Sequence, residues 1–224
     1  MNKFVNILLF LLTLPIIGFS LIVGFDLPIE MLKLSGANMP YQQEIFFAFA
    51  ALVLLIGGRR SIRRWMGVRM VKKIKKFKWN KEMSKERYRQ ANLYLILEFV
   101  LHAFVGVTLY VLTPLVFPVA LVFMILAADH LIFAIVARVN KLFRVGMTSK
   151  AIVVADRNIK AIYLKGLQEV SVQQQSLFFD YVEELQLDFP ISCIEEENRE
   201  EFKDQLTKLI DRKRVHYSES FKNF

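Results

Sequence analysis

The sequence has little of what builds redox or metal chemistry. It contains one cysteine, Cys193, and three histidines in 224 residues. A single thiol excludes an internal disulfide and a multi-thiolate zinc site. No triad context surrounds it, so Cys193 reads as a small packing residue. HExxH and comparable metal or catalytic motifs are missing. Nothing in the sequence calls for a cofactor, and no catalytic signature points to an enzyme.

Charge is scarce over long stretches. Residues 4–25, 45–58, 91–113 and 115–137 are near-continuous apolar blocks in a chain that is 54% hydrophobic and holds 20 Phe. A soluble domain averages about 45–50% apolar with those residues dispersed. A helix crossing roughly 30 Å of hydrocarbon needs about 20 mostly apolar residues. The expected fold is therefore membrane α-helical, with about four transmembrane helices, followed by a small C-terminal α+β domain. The first block has too long an apolar run and no A-x-A site for a cleaved signal peptide. The second reaches a full span only if Tyr41 to Glu44 lie at the interface. The third and fourth, joined through Thr113-Pro114 and Pro118, form an antiparallel hairpin.

What charge there is has a location. Segment 59–90 carries fourteen basic residues against Glu82 and Glu86, a net +12, while the rest of the chain sums to −3. Loop 25–43 has one basic residue, Lys33, and loop 113–118 has none. The positive-inside rule then puts both termini and the basic loop in the cytoplasm, giving a multi-pass protein of a cell membrane. The domain plan is transmembrane helices 1 and 2 over 1–58, a basic amphipathic cytoplasmic loop over 59–90, a helical hairpin over 91–138, an α+β domain over 145–215 and a tail over 216–224.

Within the basic loop, Ile62, Trp65, Met66, Met70, Ile74 and Phe77 recur every three to four residues. The spacing predicts an amphipathic helix with an apolar stripe and a cationic face. Both tryptophans of the chain, Trp65 and Trp79, lie here. The candidate lipid-surface residues are Arg59, Arg60, Arg63, Arg64, Trp65, Arg69, Lys72, Lys73, Lys75, Lys76 and Trp79, with anionic inner-leaflet lipid as the partner. Competing readings are a topology signal alone or packing against the protein's own cytoplasmic domain. No recognition helix or RNA module accompanies the charge, so nucleic acid is not expected.

Ionisable residues inside the apolar blocks are the sharpest chemical signal, because hydrocarbon makes them costly unless paired or wetted. Glu98 and His102 lie four apart on one helix face, and Asp129 and His130 follow in the next helix. Folding the hairpin about residue 115 sets 98 opposite about 131 and 102 opposite about 127. Glu98, His102, Asp129 and His130 then form one polar layer, with Asp129 and His130 diverging by roughly 100°. Three roles are open: a structural pairing that holds the hairpin, a proton or ion pathway, or a metal site. The last two make a small transporter, channel subunit or membrane-embedded metal protein the alternative function. Four helices are few for a transporter, so that reading requires a homo-oligomer.

From Val145 the period changes. Lys150 to Ala155 and Ile159 to Leu164 flank the turn Asp156-Arg157-Asn158 as a hairpin. Alternation returns from Leu177 to Phe189, with Glu183-Glu184 as a turn, and Pro190 ends it. Ser192 and Glu195 have capping-box spacing before a helix whose stripe is Phe202, Leu206, Leu209 and Ile210 and whose end carries Arg212, Lys213 and Arg214. Over 145–213, "GMTSKAIVVADRNIKAIYLKGLQEVSV" and "LQLDFPISCIEEENREEFKDQLTKLI" resemble the YcxB-like, PH-like C-terminal domain of small bacterial membrane proteins. The resemblance implies a binding or regulatory module, with a protein partner for residues 145–215, in a bacterial inner membrane. It names no ligand. The leading expectation is a non-enzymatic membrane protein whose PH-like domain and basic loop bind or sense a partner or anionic lipid.

Overall fold

The computed structural model describes residues 2–30, 33–71, 76–182, 185–210 and 215–224. Four long helices carry the apolar blocks: α1 (Asn2–Gly24), α2 (Gln42–Val71), α3 (Lys85–Leu112) and α4 (Phe117–Val139). All four are long and apolar enough to cross a membrane. The chain divides into two compact units, Met1–Arg63 with Tyr94–Ile135 and Arg64–Leu93 with Val136–Phe224.

The first unit is helical. Its core is Ile16, Phe46, Val53, Leu109, Val116, Val119, Phe123 and Leu126, with Phe19 edge-on to Phe46 at 5.0 Å. Close approach depends on glycine at two places. A Cβ on Gly24 would sit 2.4 Å from the Leu112 carbonyl oxygen, and one on Gly57 would sit 2.5 Å from a Leu126 methyl. Small residues at such crossings let helix backbones approach, as in membrane bundles. The outer surface stays apolar, with Phe10, Phe104, Val111 and Ile132 all exposed.

The charged segment is not a loop from residue 59. Helix α2 continues for thirty residues to Val71, because Arg, Met and Val after Gly58 bring no helix breaker. Two short strands, β1 (Pro28–Ile29) and β2 (Leu34–Ser35), pair between α1 and α2; strand β3 (Trp79–Glu82) follows α2, and α3 already begins at Lys85. The Ser84 hydroxyl caps α3 by accepting from the Arg87 amide at 3.1 Å.

The second unit has more sheet than the sequence suggests. Strands β4 (Arg144–Met147), β5 (Ala151–Ala155) and β6 (Ile159–Tyr163) form an antiparallel meander, and β3 adds to its β4 edge with Trp79 opposite Met147. Strands β7 (Leu167–Gln173), β8 (Ser176–Tyr181) and β9 (Gln186–Pro190) form a second antiparallel meander. The region 216–224 is not a loose tail. It gives β10 (His216–Tyr217), parallel to β7, and a short turn of helix α6 (Glu219–Lys222) that buries Phe221. Gln186 to Pro190 alternates too briefly to reveal whether it continues β8 or pairs back on it; it pairs back.

Helix α5 (Arg199–Leu209) closes both sheets. Phe202 packs edge-on to Trp79 of β3 at 5.4 Å and to Phe189 of β9 at 6.2 Å. Burying each such side chain contributes about 1.5–3 kcal/mol. The expected Ser192–Glu195 capping box is not formed. Ser192 lies in a 3-10 turn, Ile191–Cys193, and α5 starts later with Asn198 at its N-cap. Burial of Cys193 and Ile194 holds that turn in place. The basic run Arg212, Lys213 and Arg214 and the Glu183-Glu184 turn lie outside the described residues.

Candidate functional site

The helical unit brings together Glu98, His102 and His130, and adds two residues that the polar layer did not include. Arg60 of α2 donates from Nη2 to Glu98 Oε1 at 2.6 Å and from Nη1 to Asn6 Oδ1 of α1 at 2.9 Å. Glu98 Oε2 lies 3.1 Å from His130 Nε2. The His102 and His130 rings stack with centroids 4.9 Å apart. Arg60 is 7% exposed and His130 5%, so this is a buried charged cluster linking four helices.

The Nδ1 of His130 is 2.5 Å from the Leu126 carbonyl oxygen, and a carbonyl only accepts, so Nδ1 donates. The Nδ1 of His102 donates in the same way to the Glu98 carbonyl at 2.6 Å.

Asp129 is half-exposed, on a helix face about 100° from His130. Among the described residues, no three His, Cys, Asp or Glu side chains converge where they could hold a metal ion. A cavity of about 230 Å³ lies beside the cluster, lined by Asn6, Arg60, Glu98 and His102 together with apolar side chains that include Leu14, Ile17 and Phe123.

The candidate lipid-surface residues separate by exposure. Arg59, Arg63, Arg69 and Lys76 are exposed and Trp65 is half-buried. Arg60 and Arg64, at 7% and 2% exposure, turn inward, and Trp79 is buried in the sheet unit. These three cannot offer side chains to a surface. Lys72, Lys73 and Lys75 lie outside the described residues. The apolar stripe and cationic face also prove to be one face. At 100° per residue, Arg59, Ile62, Arg63, Met66, Arg69 and Met70 fall within an arc of roughly 120°, and all six are exposed. Arg60, Arg64, Gly67, Val68 and Val71 occupy the buried opposite side.

The sheet unit offers no nucleophile at its one thiol. Cys193 is buried, and desolvation pushes its pKa up to about 12, only partly offset by the Arg87 guanidinium. Arg87 itself forms an ion pair with Asp156, and Ser84 Oγ donates to the Ser192 carbonyl at 2.6 Å. These contacts tie the start of α3 to the loops of the sheet unit.

The chain matches no protein-family model, no curated protein and no solved structure.

Proposed function

We propose that the chain is a non-enzymatic protein of the bacterial inner membrane, crossing four times with both termini and the sheet unit in the cytoplasm. Its sheet unit acts as a PH-like module that binds a partner, and the exposed face of α2 holds anionic lipid of the inner leaflet. The observation that carries this reading is that α2 face, where Arg59, Arg63 and Arg69 alternate with Ile62, Met66 and Met70 in the open. A mixed face of this kind sits at a headgroup boundary, its apolar side chains reaching the acyl region while its guanidinium groups meet phosphate. Each basic residue near such a surface contributes on the order of 1 kcal/mol.

Support for the PH-like part comes from element order. Over 145–213 antiparallel strands are followed by one closing helix, in keeping with the order on which the resemblance rests. Support for the bilayer comes from the four apolar helices and from the density of Lys and Arg after residue 58.

The test uses the full chain in nanodiscs. Trp79 is buried, so lipid-dependent quenching reports on Trp65. Brominated phosphatidylglycerol should quench more than brominated phosphatidylcholine, and the difference should collapse when Arg59, Arg63 and Arg69 are all changed to Gln. Equal quenching by both lipids in the unaltered protein rejects the lipid reading. A second reading, a proton-handling bundle, draws on the approach of Glu98 to His130 at 3.1 Å. Proton flux into liposomes that Glu98→Gln abolishes would move the assignment there.

A further inference from the structure

The ring of His102 is only half used by the protein. Its Nδ1 donates to the Glu98 carbonyl at 2.6 Å, which turns the opposite edge of the ring away from its own helix. Among the described residues Nε2 has no hydrogen-bond partner, and it is open to the cavity that His102 lines. Arg60 supplies one positive charge to the one carboxylate of Glu98, at 2.6 Å. A further charge on His102 would stand without a counter-ion among apolar helices, which is costly. The ring therefore keeps a single hydrogen, on Nδ1, and Nε2 presents a lone pair.

A second unused group lines the same space. Asn6 accepts from Arg60 at Oδ1, so its Nδ2 is left as a donor without a partner among the described residues. Arg60 spends Nη1 and Nη2 on Asn6 and Glu98, and its Nε is buried; the cavity asks for no charge. It asks for one donor, one acceptor and hydrocarbon. Thr13, whose hydroxyl donates to the Leu9 carbonyl, is the one other polar residue on a lining that is otherwise apolar. At about 230 Å³ the space exceeds the roughly 150 Å³ that holds benzene in an engineered apolar cavity. Phe10 and Leu101 on that lining are 64% and 60% exposed, so the cavity opens on the apolar outer surface of the helices.

We propose that this cavity binds a neutral glycerolipid with a free hydroxyl, of diacylglycerol type. The hydroxyl donates to His102 Nε2, an ester carbonyl accepts from Asn6 Nδ2, and part of one acyl chain fills the apolar remainder. Phosphatidylcholine has no O–H or N–H to give to His102, and its phosphate would enter with no free cation to meet it. Water at Nε2 would satisfy the ring but leave the apolar walls unfilled, and apolar cavities stay dry. The site is separate from the exposed face of α2, although it rests on the same placement of the helices in a bilayer, because the ligand arrives from hydrocarbon.

The experiment measures thermal unfolding of the full chain in an uncharged detergent, with three additions: dioctanoylglycerol, the same lipid with its hydroxyl acetylated, and dioctanoylphosphatidylglycerol. A ligand that binds only the folded state raises Tm. Dioctanoylglycerol should raise it by several degrees. The acetate lacks the donor and should bind about tenfold more weakly, the scale of one buried acceptor left unsatisfied. The phosphatidylglycerol should do no better than the acetate. His102→Phe keeps an aromatic ring there and should erase the difference between alcohol and acetate. Because that variant also loses the bond to the Glu98 carbonyl, Leu14→Trp provides an independent check. It fills the apolar wall without touching a polar group, and it should abolish the shift. Nitrogen NMR reads the ring directly, since the chain has three histidines. His102 Nε2 should resonate as an unprotonated nitrogen and move on addition of the alcohol alone. Equal shifts from alcohol and acetate, an equal or larger shift from the phosphatidylglycerol, no shift at all, a shift that survives Leu14→Trp, or a hydrogen on His102 Nε2 would each overturn the proposal. Whether the chain needs detergent to stay in solution is read separately, from its partition between membrane and aqueous fractions, so a failed bilayer reading is not mistaken for an empty site.

Discussion

The two units of this chain solve the burial problem in opposite directions. In the helical unit, Phe104 and Val111 are 68% and 77% exposed while Arg60 is 7% exposed. In the sheet unit, Phe179, Phe189 and Phe202 are fully buried, and Glu196, Glu200 and Glu219 are at least 80% exposed. The helices are long and apolar enough to cross a membrane, and the proposed crossing would give the two units different solvents. Burial in water is driven by removing apolar surface. In hydrocarbon that drive between helices vanishes, and packing plus satisfied polar groups must hold the bundle. The contrast between the units is therefore an argument about surroundings, made by one polypeptide.

The largest test of the contrast is Arg60→Met. It leaves the Glu98 carboxylate without its guanidinium partner and should cost about 3–5 kcal/mol, the usual penalty for breaking a buried ion pair from one side. Thermal unfolding of the detergent-solubilised chain measures it. A cost below about 1 kcal/mol would mean that the cluster does not hold the helices. Next comes Trp79→Ala in the sheet unit, with an expected loss of about 3–5 kcal/mol, read by proteolysis of residues 144–224 in the full chain. Unchanged resistance would remove β3 from that unit's core.

Phe104→Lys then asks directly which solvent surrounds α3. On an aqueous surface it would be neutral within about 0.5 kcal/mol. In the middle of a bilayer it should oppose insertion by about 2.5–3.5 kcal/mol, seen as a lower membrane-integrated fraction. The smallest effect is at Cys193. Its raised pKa means that the folded chain keeps the thiol proton after the unfolded chain has lost it. Stability from this group is therefore intact below about pH 9 and falls as pH rises from there toward 12. Cys193→Ala should flatten that decline. A thiol that alkylates readily in the folded protein at neutral pH would contradict its burial.

Much of the helical unit could be read from residue order, because hydrocarbon-length apolar blocks leave few alternatives. The polar layer was visible for the same reason: Glu98, His102 and His130 stand out where charge is rare. Arg60 did not stand out, being one of fourteen basic residues in a run. Its signal was periodic instead. Val53, Gly57, Arg60, Arg64, Val68 and Val71 recur every three or four positions, and all six are buried, so two arginines lie on a helix face otherwise made of small and apolar residues. Strand β3 gave less warning. Its sequence, Trp-Asn-Lys-Glu, has a single apolar residue and no alternation, and only its partner Arg144–Met147 makes it a strand. The capping-box spacing at Ser192 misled because the turn there is fixed by burying Cys193 and Ile194, a tertiary effect that local pattern does not carry.

Strand β3 has a consequence for how this protein is made. Its pairing partner β4 emerges only after some sixty further residues, including the whole of α3 and α4, have been synthesised. Trp79, which Phe202 needs, therefore waits at the start of the hairpin for a helix near the chain's end. The sheet unit cannot reach its final form on the ribosome ahead of α3 and α4, and a fragment beginning at residue 145 would lack both an edge strand and Trp79. Assembly of the sheet unit thus waits on synthesis of α3 and α4.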